Sequence, residues 1–176
     1  MYGPKGERGV PVVDIVNEKT RSRMMAGIRG KNTKPELILR RALHQNGFRY
    51  RIHDSKLPGK PDIVLPMYKA VIFVHGCFWH RHFDCWWNTT PSSNTAFWES
   101  KLARNAERDA LNLEQLRNQG WRIAIVWECS LRLSQVQDVV AKVQNWLKSD
   151  KPTLTLPVIS RRRATEPQLA EDRQII

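Results

Sequence analysis

The sequence lacks any long hydrophobic run. No stretch approaches the roughly 18 apolar residues that a membrane span requires, and the opening residues MYGPKGERGVPVVDIV are interrupted by glycine, proline and charge before an apolar segment develops. The sequence therefore predicts neither a membrane span nor a secretory signal. We expect a cytoplasmic protein that has no membrane partner.

Cysteine is scarce. The chain of 176 residues contains three cysteines, an odd number that disfavours the disulfide framework of a small secreted protein. A chain of this length can bury a core within one domain and needs no covalent crosslinks. The cysteines are therefore better interpreted as metal ligands or as thiols.

Acidic residues are outnumbered. The chain has 17 acidic and 29 basic residues, which gives a formal net charge of +12. Residues 1–60 alone contain 14 lysine and arginine residues against five acidic ones, an excess of nine positive charges. This distribution favours a polyanionic partner such as nucleic acid over a basic protein that has no such partner.

The hydrophobic pattern predicts an α/β domain with a mixed central sheet flanked by helices. We expect a loose arm over residues 1–18, a domain over 19–150 that begins with a basic helical segment at about 19–30, and a poorly structured tail over 151–176. A helix with Pro35 in its first turn should end at Gly47. Its inward positions should be Leu37, Ile38, Leu39, Ala42 and Leu43. Strands are expected at 48–52, 61–65, 69–75 and 121–127, with further helices at 95–119 and 136–147.

The stretch CFWHRHFDC has the spacing of a metal site. Cys77 and Cys85 flank His82, and Cys129 directly follows the predicted strand 121–127. Three thiolates and one imidazole form the closed tetrahedral site that is typical of structural zinc. Two alternatives stay open, namely that His80 replaces His82 as the ligand and that the cysteines are ordinary buried residues.

Two further residues are candidates for catalysis. If His82 binds metal, His80 is available as a general base, because the pKa of histidine lies near neutral pH; otherwise it is a surface histidine in a loop. Asp62 begins one predicted strand, and the next strand ends at His75. A carboxylate facing the end of a neighbouring strand is suited to a divalent ion held against a phosphate, although Pro-Asp is also common in turns.

The helix 95–119 carries an acid where its period calls for an apolar residue. Its inward stripe is predicted to be Leu102, Ala106, Asp109, Leu113 and Leu116. A buried carboxylate needs a partner. Asp109 is expected either to orient a histidine base, with Asn105 one turn earlier on the same side, or to form a salt bridge with Arg104 or Arg108.

Aromatic residues are abundant, with seven tryptophans in the chain. Trp121 and Trp127 lie on a predicted strand and are expected to pack in the core. Phe78, Trp79 and Trp98 are the candidates for contact with DNA, since flat rings can enter between base pairs and kink the duplex.

Four blocks of sequence together resemble the Vsr, or very-short-patch repair, family of DNA mismatch endonucleases. The blocks are PGKPDIV at 58–64, VIFVHGCFWH at 71–80, FWExKxxxNxxRD at 97–109 and WRIxIVWEC at 121–129. The similarity runs from about Lys19 to Leu147. It implies a restriction-endonuclease-like fold over 19–150 with an inserted structural zinc knuckle.

The resemblance also implies an activity. The expected reaction is Mg²⁺-dependent hydrolysis of one DNA strand 5′ to the thymine of a T:G mismatch that arises when 5-methylcytosine deaminates. This nick would start very-short-patch repair. The implied partner is mismatched double-stranded DNA in the bacterial nucleoid, the protein is expected to be monomeric, and mismatch-repair proteins are left open as further partners.

Individual roles follow from the resemblance, position by position. Asp62 and the backbone carbonyl of Val74 would bind Mg²⁺, and Glu36 would hold metal-bound water. His80 would be the general base with Asp109 as its partner, and His75 would assist near the phosphate. Zn²⁺ would be bound by Cys77, His82, Cys85 and Cys129. The DNA-contacting residues would be Met25, Phe78, Trp79, Trp98, Lys101 and Asn105.

Two other functions remain to be compared with this one. A non-catalytic zinc module that binds bent DNA would need the basic residues and the aromatics but not Asp62, His80 and Asp109 together. A restriction-type endonuclease that cuts both strands usually carries an acid-x-Lys pair on its central strand, and Phe73-Val74-His75 contains none.

Overall fold

The computed structural model describes residues 20, 30–83, 85, 87–91, 94–133 and 135–156. The chain divides into two compact units, residues 1–30 and 31–176, and the elements described below belong to the second. The predicted arm over 1–18, nearly all of the basic segment at 19–30 and the tail beyond 156 lie outside the described residues. Within the described residues, no helix is long and apolar enough to cross a membrane.

The first helix of the second unit, α1, spans Lys34–Gln45 and carries proline in its first turn, as predicted. It is followed by Gly47, whose φ of 84° lies in the left-handed region that glycine tolerates best. Leu39 and Leu43 are fully buried, and Ile38 and Ala42 pack beside them. The prediction for Leu37 is wrong, because its side chain is exposed on the far side of the helix.

The central sheet has four strands in the order β1-β2-β3-β4. Strand β1 (Ile63–Leu65) pairs antiparallel with β2 (Ala70–His75), and β2 pairs parallel with β3 (Arg122–Trp127). The last strand, β4 (Thr153–Leu156), pairs parallel with β3. All six residues of β2 are buried, as expected for a central strand of a mixed sheet.

Helices cover both faces of the sheet. Alternate residues of β2 face opposite sides: Ile72 packs in the cluster that contains α1 and α4 (Val136–Leu147), whereas Val71 packs with Leu116 of α2 (Thr95–Asn118). A short helix, α3 (Glu128–Leu133), follows β3. The predicted α/β architecture with a mixed sheet flanked by helices is confirmed.

Two predictions about strands are wrong. Residues 48–52 form no strand; Arg51 makes a single bridge to Val64, and the chain leaves the extended conformation at His53, whose φ is 47°. Residues 153–156, which were expected to belong to a poorly structured tail, form β4. They are held there because Arg122 donates to the carbonyl of Lys151 and Ser130 donates to the carbonyl of Leu156.

Candidate active site and metal centre

The candidate site lies where the two parallel central strands end. His75, the last residue of β2, pairs with Trp127, the last residue of β3. The carboxyl ends of parallel strands lie at the same edge of a sheet. The loop that leaves β2 at Gly76 and the helix that leaves β3 at Glu128 therefore begin beside one another.

Four buried ligand groups converge at this edge: Cys77, His82, Cys85 and Cys129. One ligand atom from each lies within 4.8 Å of the others. The Nδ1 of His82 is 3.6 Å from the Sγ of Cys77 and 3.5 Å from the Sγ of Cys129. A tetrahedral zinc ion with ordinary Zn–S and Zn–N bonds separates sulfur from nitrogen by about 3.6 Å. The donor set and the spacing thus fit such an ion.

Burial affects the chemistry of these thiols. The hydrogen bond that the Cys77 thiol donates to Cys129, together with burial, raises the pKa of Cys77, and burial raises the pKa of Cys85. Thiols in such surroundings stay protonated and inert unless a cation displaces the proton. The ring of His82 stacks on Trp127 with centroids 4.1 Å apart, which fixes the direction of its Nδ1.

His80 points away from the cysteines and towards helix α2. Its Nδ1 lies 2.5 Å from the Oδ2 of Asp109, and both side chains are partly exposed. The alternative in which Asp109 forms a salt bridge is not adopted, since Arg108 donates to Asn105 and Arg104 donates to a backbone carbonyl. The hydrogen bond to Asp109 places the proton of a neutral His80 on Nδ1 and leaves a lone pair on Nε2.

The prediction of inward-facing residues around Asp109 on α2 is only partly correct. Leu102 and Leu116 are buried, and Leu113 packs against the sheet. Ala106 is exposed, because the helix at this level faces the loop 76–83 rather than the core, and the small side chain is left in solvent.

His75 lies directly beneath His80. The two rings are stacked, with centroids 3.9 Å apart and an angle of 7° between their planes. Burial, followed by the charge of His80, lowers the pKa of His75 to about 3. His75 is therefore a neutral group at physiological pH, and it supports the plane of the His80 imidazole.

Asp62 stands at the start of β1, against the end of β2. Its Oδ2 accepts a hydrogen bond of 2.7 Å from the backbone N–H of Val74. Burial raises its pKa to about 6, and the hydrogen bond from Val74, followed by the charges of Arg40 and His80, opposes that rise. The loop before Asp62 passes close to α2: Gly59 adopts a φ of 70°, and a Cβ added there would lie 3.1 Å from the Cβ of Asn112, a tight contact.

Glu36 is buried at the first turn of α1, and its carboxylate has several protein donors. Oε1 accepts from the hydroxyl of Thr33 at 2.8 Å, and Oε2 accepts from the backbone N–H of Asn32 at 2.9 Å. Oε2 also accepts from Arg40, one turn further along α1, at 2.8 Å. This is a variant of the capping box, in which an acid in the first turn reaches back to the start of its helix.

Two residues of the site are not among the candidates from the sequence. Arg40 is 5% exposed and contacts both Glu36 and the backbone carbonyl of Asp62. His53 offers a nitrogen within 4.8 Å of the ligand oxygens of Glu36 and Asp62, and burial together with Arg40 lowers its pKa. A buried arginine in the core-facing part of the α1 pattern is the one sequence signal that could have indicated this cluster.

The aromatic candidates form one cluster on the loop and on α2. The ring of Phe78 lies 5.0 Å from that of Trp79 and 5.5 Å from that of Trp98. Phe78 and Trp79 are partly exposed, whereas Trp98 is 8% exposed and supports the other two from behind. The Nζ of Lys101 lies 5.5 Å from the ring centre of Trp98, within range for a cation–π contact.

Asn105 has a structural contact in addition to the role expected for it. Its side-chain amide donates to the backbone carbonyl of Trp79 at 3.2 Å, which ties the loop to α2. Met25, the remaining candidate for DNA contact, lies outside the described residues.

Comparison with known proteins adds independent information. The family model "DNA mismatch endonuclease Vsr" matches residues 13–86. The chain is 46% identical over 121 residues, 69% of its length, to the type II nicking enzyme V.NmeAIP of Neisseria meningitidis serogroup A, of which it covers 86%. It is 40% identical over 136 residues, 77% of its length, to the type II nicking enzyme V.XorIIP of Xanthomonas oryzae pv. oryzae, of which it covers 98%. It is 42% identical over 121 residues, 69% of its length, to the DNA mismatch endonuclease Vsr of Escherichia coli K12, of which it covers 77%.

Proposed function

The chain belongs to the Vsr family of DNA mismatch endonucleases and is a DNA endonuclease, and we propose that it nicks one strand of duplex DNA 5′ to the thymine of a T:G mismatch. Such mismatches arise when 5-methylcytosine deaminates, and the nick would start very-short-patch repair. The observation that carries this proposal is the His80–Asp109 pair beside Asp62, because a module that only binds DNA has no use for an oriented base next to a carboxylate.

His80 is the general base in this proposal. Because Nδ1 faces Asp109, the Nε2 lone pair is the position that accepts a proton from the attacking water. Asp109 stabilises the imidazolium that forms and keeps the ring in one tautomer. His75 stacks beneath this ring and stays neutral, so it adds no positive charge that would oppose protonation of His80.

Asp62 and the backbone carbonyl of Val74 would hold Mg²⁺, and their donor oxygens suit this hard cation. The N–H of Val74 fixes one carboxylate oxygen of Asp62, and the other, Oδ1, lies 3.9 Å from the Nδ1 of His53, beyond hydrogen-bond distance. When bound, Mg²⁺ would stabilise the charge that develops on the phosphate and favour deprotonation of water.

We assign structural zinc to Cys77, His82, Cys85 and Cys129. All four ligands are buried protein groups, so no position is left for substrate. Zinc would fix the loop at Cys77 and His82, on either side of His80. The role of the metal is thus to hold the base in place rather than to take part in hydrolysis.

DNA binding would use the aromatic cluster and the basic residues. Phe78 and Trp79 are the exposed members, and Trp98 supports them; we propose that the first two enter the duplex at the mismatch. Lys101, whose ammonium lies over the rings of Trp79 and Trp98, would contact a phosphate in this proposal. Met25 and the basic residues near it are proposed as a further DNA contact from the charge of the sequence.

A nicking assay tests the proposal. The protein is incubated with duplexes that differ only in a T:G or a T:A pair, with and without Mg²⁺, and the labelled strands are mapped separately. We expect one cut, 5′ to the mismatched thymine, in the presence of Mg²⁺. Cutting of both strands at a matched site would favour a restriction-type enzyme, and tight binding without any cut would favour a DNA-binding module.

A further inference from the structure

The loop after β2 makes one tight turn before it reaches the cysteine cluster. The backbone N–H of Arg81 donates to the carbonyl of Phe78 at 3.5 Å, and the backbone N–H of His82 donates to the carbonyl of Cys77 at 3.0 Å. Two consecutive N–H groups that reach back across one turn in this way form a Schellman motif. Such a motif reverses the chain at one residue in the left-handed conformation.

Arg81 is the left-handed residue of this motif, with a φ of 54°. The same pair of hydrogen bonds ends α1 and α2, where the left-handed residues are Gly47 and Gly120. Glycine adopts this conformation readily, whereas a residue with a Cβ adopts it at a steric cost. The loop thus accepts at Arg81 a cost that the two helix ends avoid.

The reversal at Arg81 decides where the two flanking histidines point. It brings His82 back over the start of the turn, where its Nδ1 lies 3.6 Å from the Sγ of Cys77. His80 precedes the reversal and stays on the outer side, with its Nδ1 2.5 Å from the Oδ2 of Asp109. A right-handed or extended residue at this position would carry the chain onward, and His82 would not return to Cys77.

The side chain of Arg81 offers no comparable explanation for the turn. It is exposed, and its Nη1 donates to the hydroxyl of Thr90 at 3.2 Å. A solvent-exposed hydrogen bond exchanges easily with water and contributes little to stability. The backbone conformation of Arg81 is therefore the feature that shapes the loop.

We propose that Arg81 is a positioning residue, whose left-handed backbone directs His82 into the cysteine cluster and leaves His80 open to substrate. It acts through this conformation and not through its charge. The inference rests on the proposed function, because it takes His82 as a zinc ligand and His80 as the base. It adds one position on which both sites depend.

Two variants of the full-length protein separate conformation from charge. Arg81→Gly removes the charge and favours the left-handed backbone, whereas Arg81→Val removes the charge and opposes that backbone. Without zinc the turn can relax, so the conformational cost should appear as weaker zinc binding. We expect the zinc affinity of Arg81→Val to be about 5- to 30-fold below that of Arg81→Gly. Competition with a chromogenic chelator measures both dissociation constants.

His80 provides a second readout that needs no DNA cleavage. The proton between the Nδ1 of His80 and Asp109 should give a downfield proton resonance in zinc-loaded Arg81→Gly, and this resonance should be lost or broadened in Arg81→Val. Single-turnover nicking of a T:G duplex at saturating zinc should be slow in Arg81→Val and rescued in Arg81→Gly. If Arg81→Gly binds zinc but nicks as slowly as Arg81→Val, the guanidinium is the important group and the proposal is overturned.

Gly120→Val is the matched control, because it introduces the same residue at the left-handed position of the same motif. A Cβ added at Gly120 meets nothing within 4 Å, so the change acts mainly on the backbone. Gly120 precedes β3, at the edge of the sheet opposite to the candidate site. We expect a lower melting temperature and an unchanged zinc dissociation constant. Equal weakening of zinc binding in Gly120→Val and Arg81→Val would overturn the proposal.

The inference and the proposed function fail in different ways. If the wild-type protein binds no zinc, or if His80→Ala nicks at the wild-type rate, the proposed function is wrong and the inference is overturned with it. If the wild-type protein binds zinc and needs His80, but Arg81→Gly and Arg81→Val bind zinc equally, only the inference is overturned.

A second pair of variants serves if Arg81→Val does not fold. Arg81→Asn and Arg81→Ala both remove the charge, and asparagine adopts the left-handed conformation more readily than alanine. We expect Arg81→Asn to bind zinc more tightly than Arg81→Ala. Equal zinc affinities in this pair would overturn the proposal as well.

Discussion

The cysteine cluster and the proposed catalytic pair, His80 and Asp109, differ most in their access to solvent, although both depend on the loop after β2. Cys77, His82, Cys85 and Cys129 are all buried. His80 and Asp109, in contrast, keep 24% and 20% of their side-chain surface exposed. Two histidines that are two residues apart in the sequence therefore have opposite environments.

This difference bears on how one loop could both bind a structural ion and hold a catalytic base, the two roles proposed for it. A structural ion needs protein ligands on all sides, and burial prevents water from replacing them. A catalytic base needs an open side where substrate can approach. The loop is suited to both proposed roles because His82 turns inward to Cys77 and Cys129, while His80 turns outward to Asp109.

The largest effect should come from breaking the buried cluster. Cys129→Ser removes one of four ligands, and we expect loss of most of the bound zinc together with a fall in the free energy of unfolding of about 4 kcal/mol. For a chain of this size, the melting temperature should fall by about 10 °C. Elemental analysis and a thermal melt measure the two effects on the same sample.

His80→Ala is the matched control for this variant, because it changes the same loop outside the cluster and should keep its zinc. Protein that contains no zinc after gentle purification in zinc-containing medium would contradict the metal assignment. A Cys129→Ser variant that keeps both its zinc and its melting temperature would do so as well.

Breaking the His80–Asp109 pair should affect the rate and leave stability intact. His80→Ala should lower the nicking rate by about 10²–10⁴-fold, the range that is typical for loss of a general base. Zinc content, melting temperature and affinity for T:G duplex should stay close to those of the wild-type protein. Single-turnover kinetics and a binding assay separate the two readouts.

Two further variants, His82→Ala and Asp109→Asn, test the difference between the two histidines more sharply. His82→Ala should behave like Cys129→Ser and lose zinc, and Asp109→Asn should lower the rate in the same direction as His80→Ala. The double variant at His80 and Asp109 should be far from additive, since the pair acts as a unit. Loss of zinc in His80→Ala would show that the two histidines have been assigned to the wrong sites.

The smallest effect should be that of Asp62 on the free energy of unfolding. Burial raises the pKa of Asp62 from 3.8 to about 6, so above pH 6 the folded protein carries a buried charge that the unfolded chain would expose to water. Without Mg²⁺, Asp62→Asn should therefore increase the free energy of unfolding by about 1–3 kcal/mol near pH 8. The gain should shrink as the pH falls below 6 and should vanish only below the unfolded pKa of 3.8, where the carboxyl is protonated in both states.

Denaturant unfolding at about pH 8 and pH 5, in zinc-loaded protein without Mg²⁺, measures this difference. Asparagine keeps an oxygen that can accept from the N–H of Val74, so the comparison isolates the charge. An equal effect of Asp62→Asn at both pH values would mean that the carboxylate is not strained by burial.

The sequence predicted the buried cluster better than the open site. The spacing of Cys77, His82 and Cys85 is local, and it identifies a ligand set before any fold is known. Whether His80 or His82 faces the cysteines depends on how the loop turns, so both remained possible. The cluster around Arg40 and His53 was not predicted, because those residues come together only when α1 packs beside β1.

The difference between local and long-range signals also explains which elements of the fold could be predicted from the sequence. Strand β2 is a continuous apolar run, and the helices α1, α2 and α4 carry apolar residues at helical spacing; all four were predicted at nearly their observed bounds. Strand β4 is four residues long and lies beyond Pro152, and its pairing with β3 depends on side chains such as Arg122. A short segment of this kind has no signal of its own that distinguishes it from a tail.

The position of the cysteines at the two ends of one crossover has a consequence for how the chain folds. Pairing of β2 with β3 closes a loop that contains the loop after β2 and helix α2. Cys85 and Cys129 lie at the ends of nearly the same loop, with 43 residues between them, and a link across such a loop restricts the unfolded chain by about 4 kcal/mol of conformational entropy. The conformational entropy of closing this loop is lost in whichever step comes first, zinc binding or strand pairing, and the second step does not lose it again. We therefore expect metal binding and strand pairing to assist one another, and we expect His80, the proposed base, to become ordered only when both are complete.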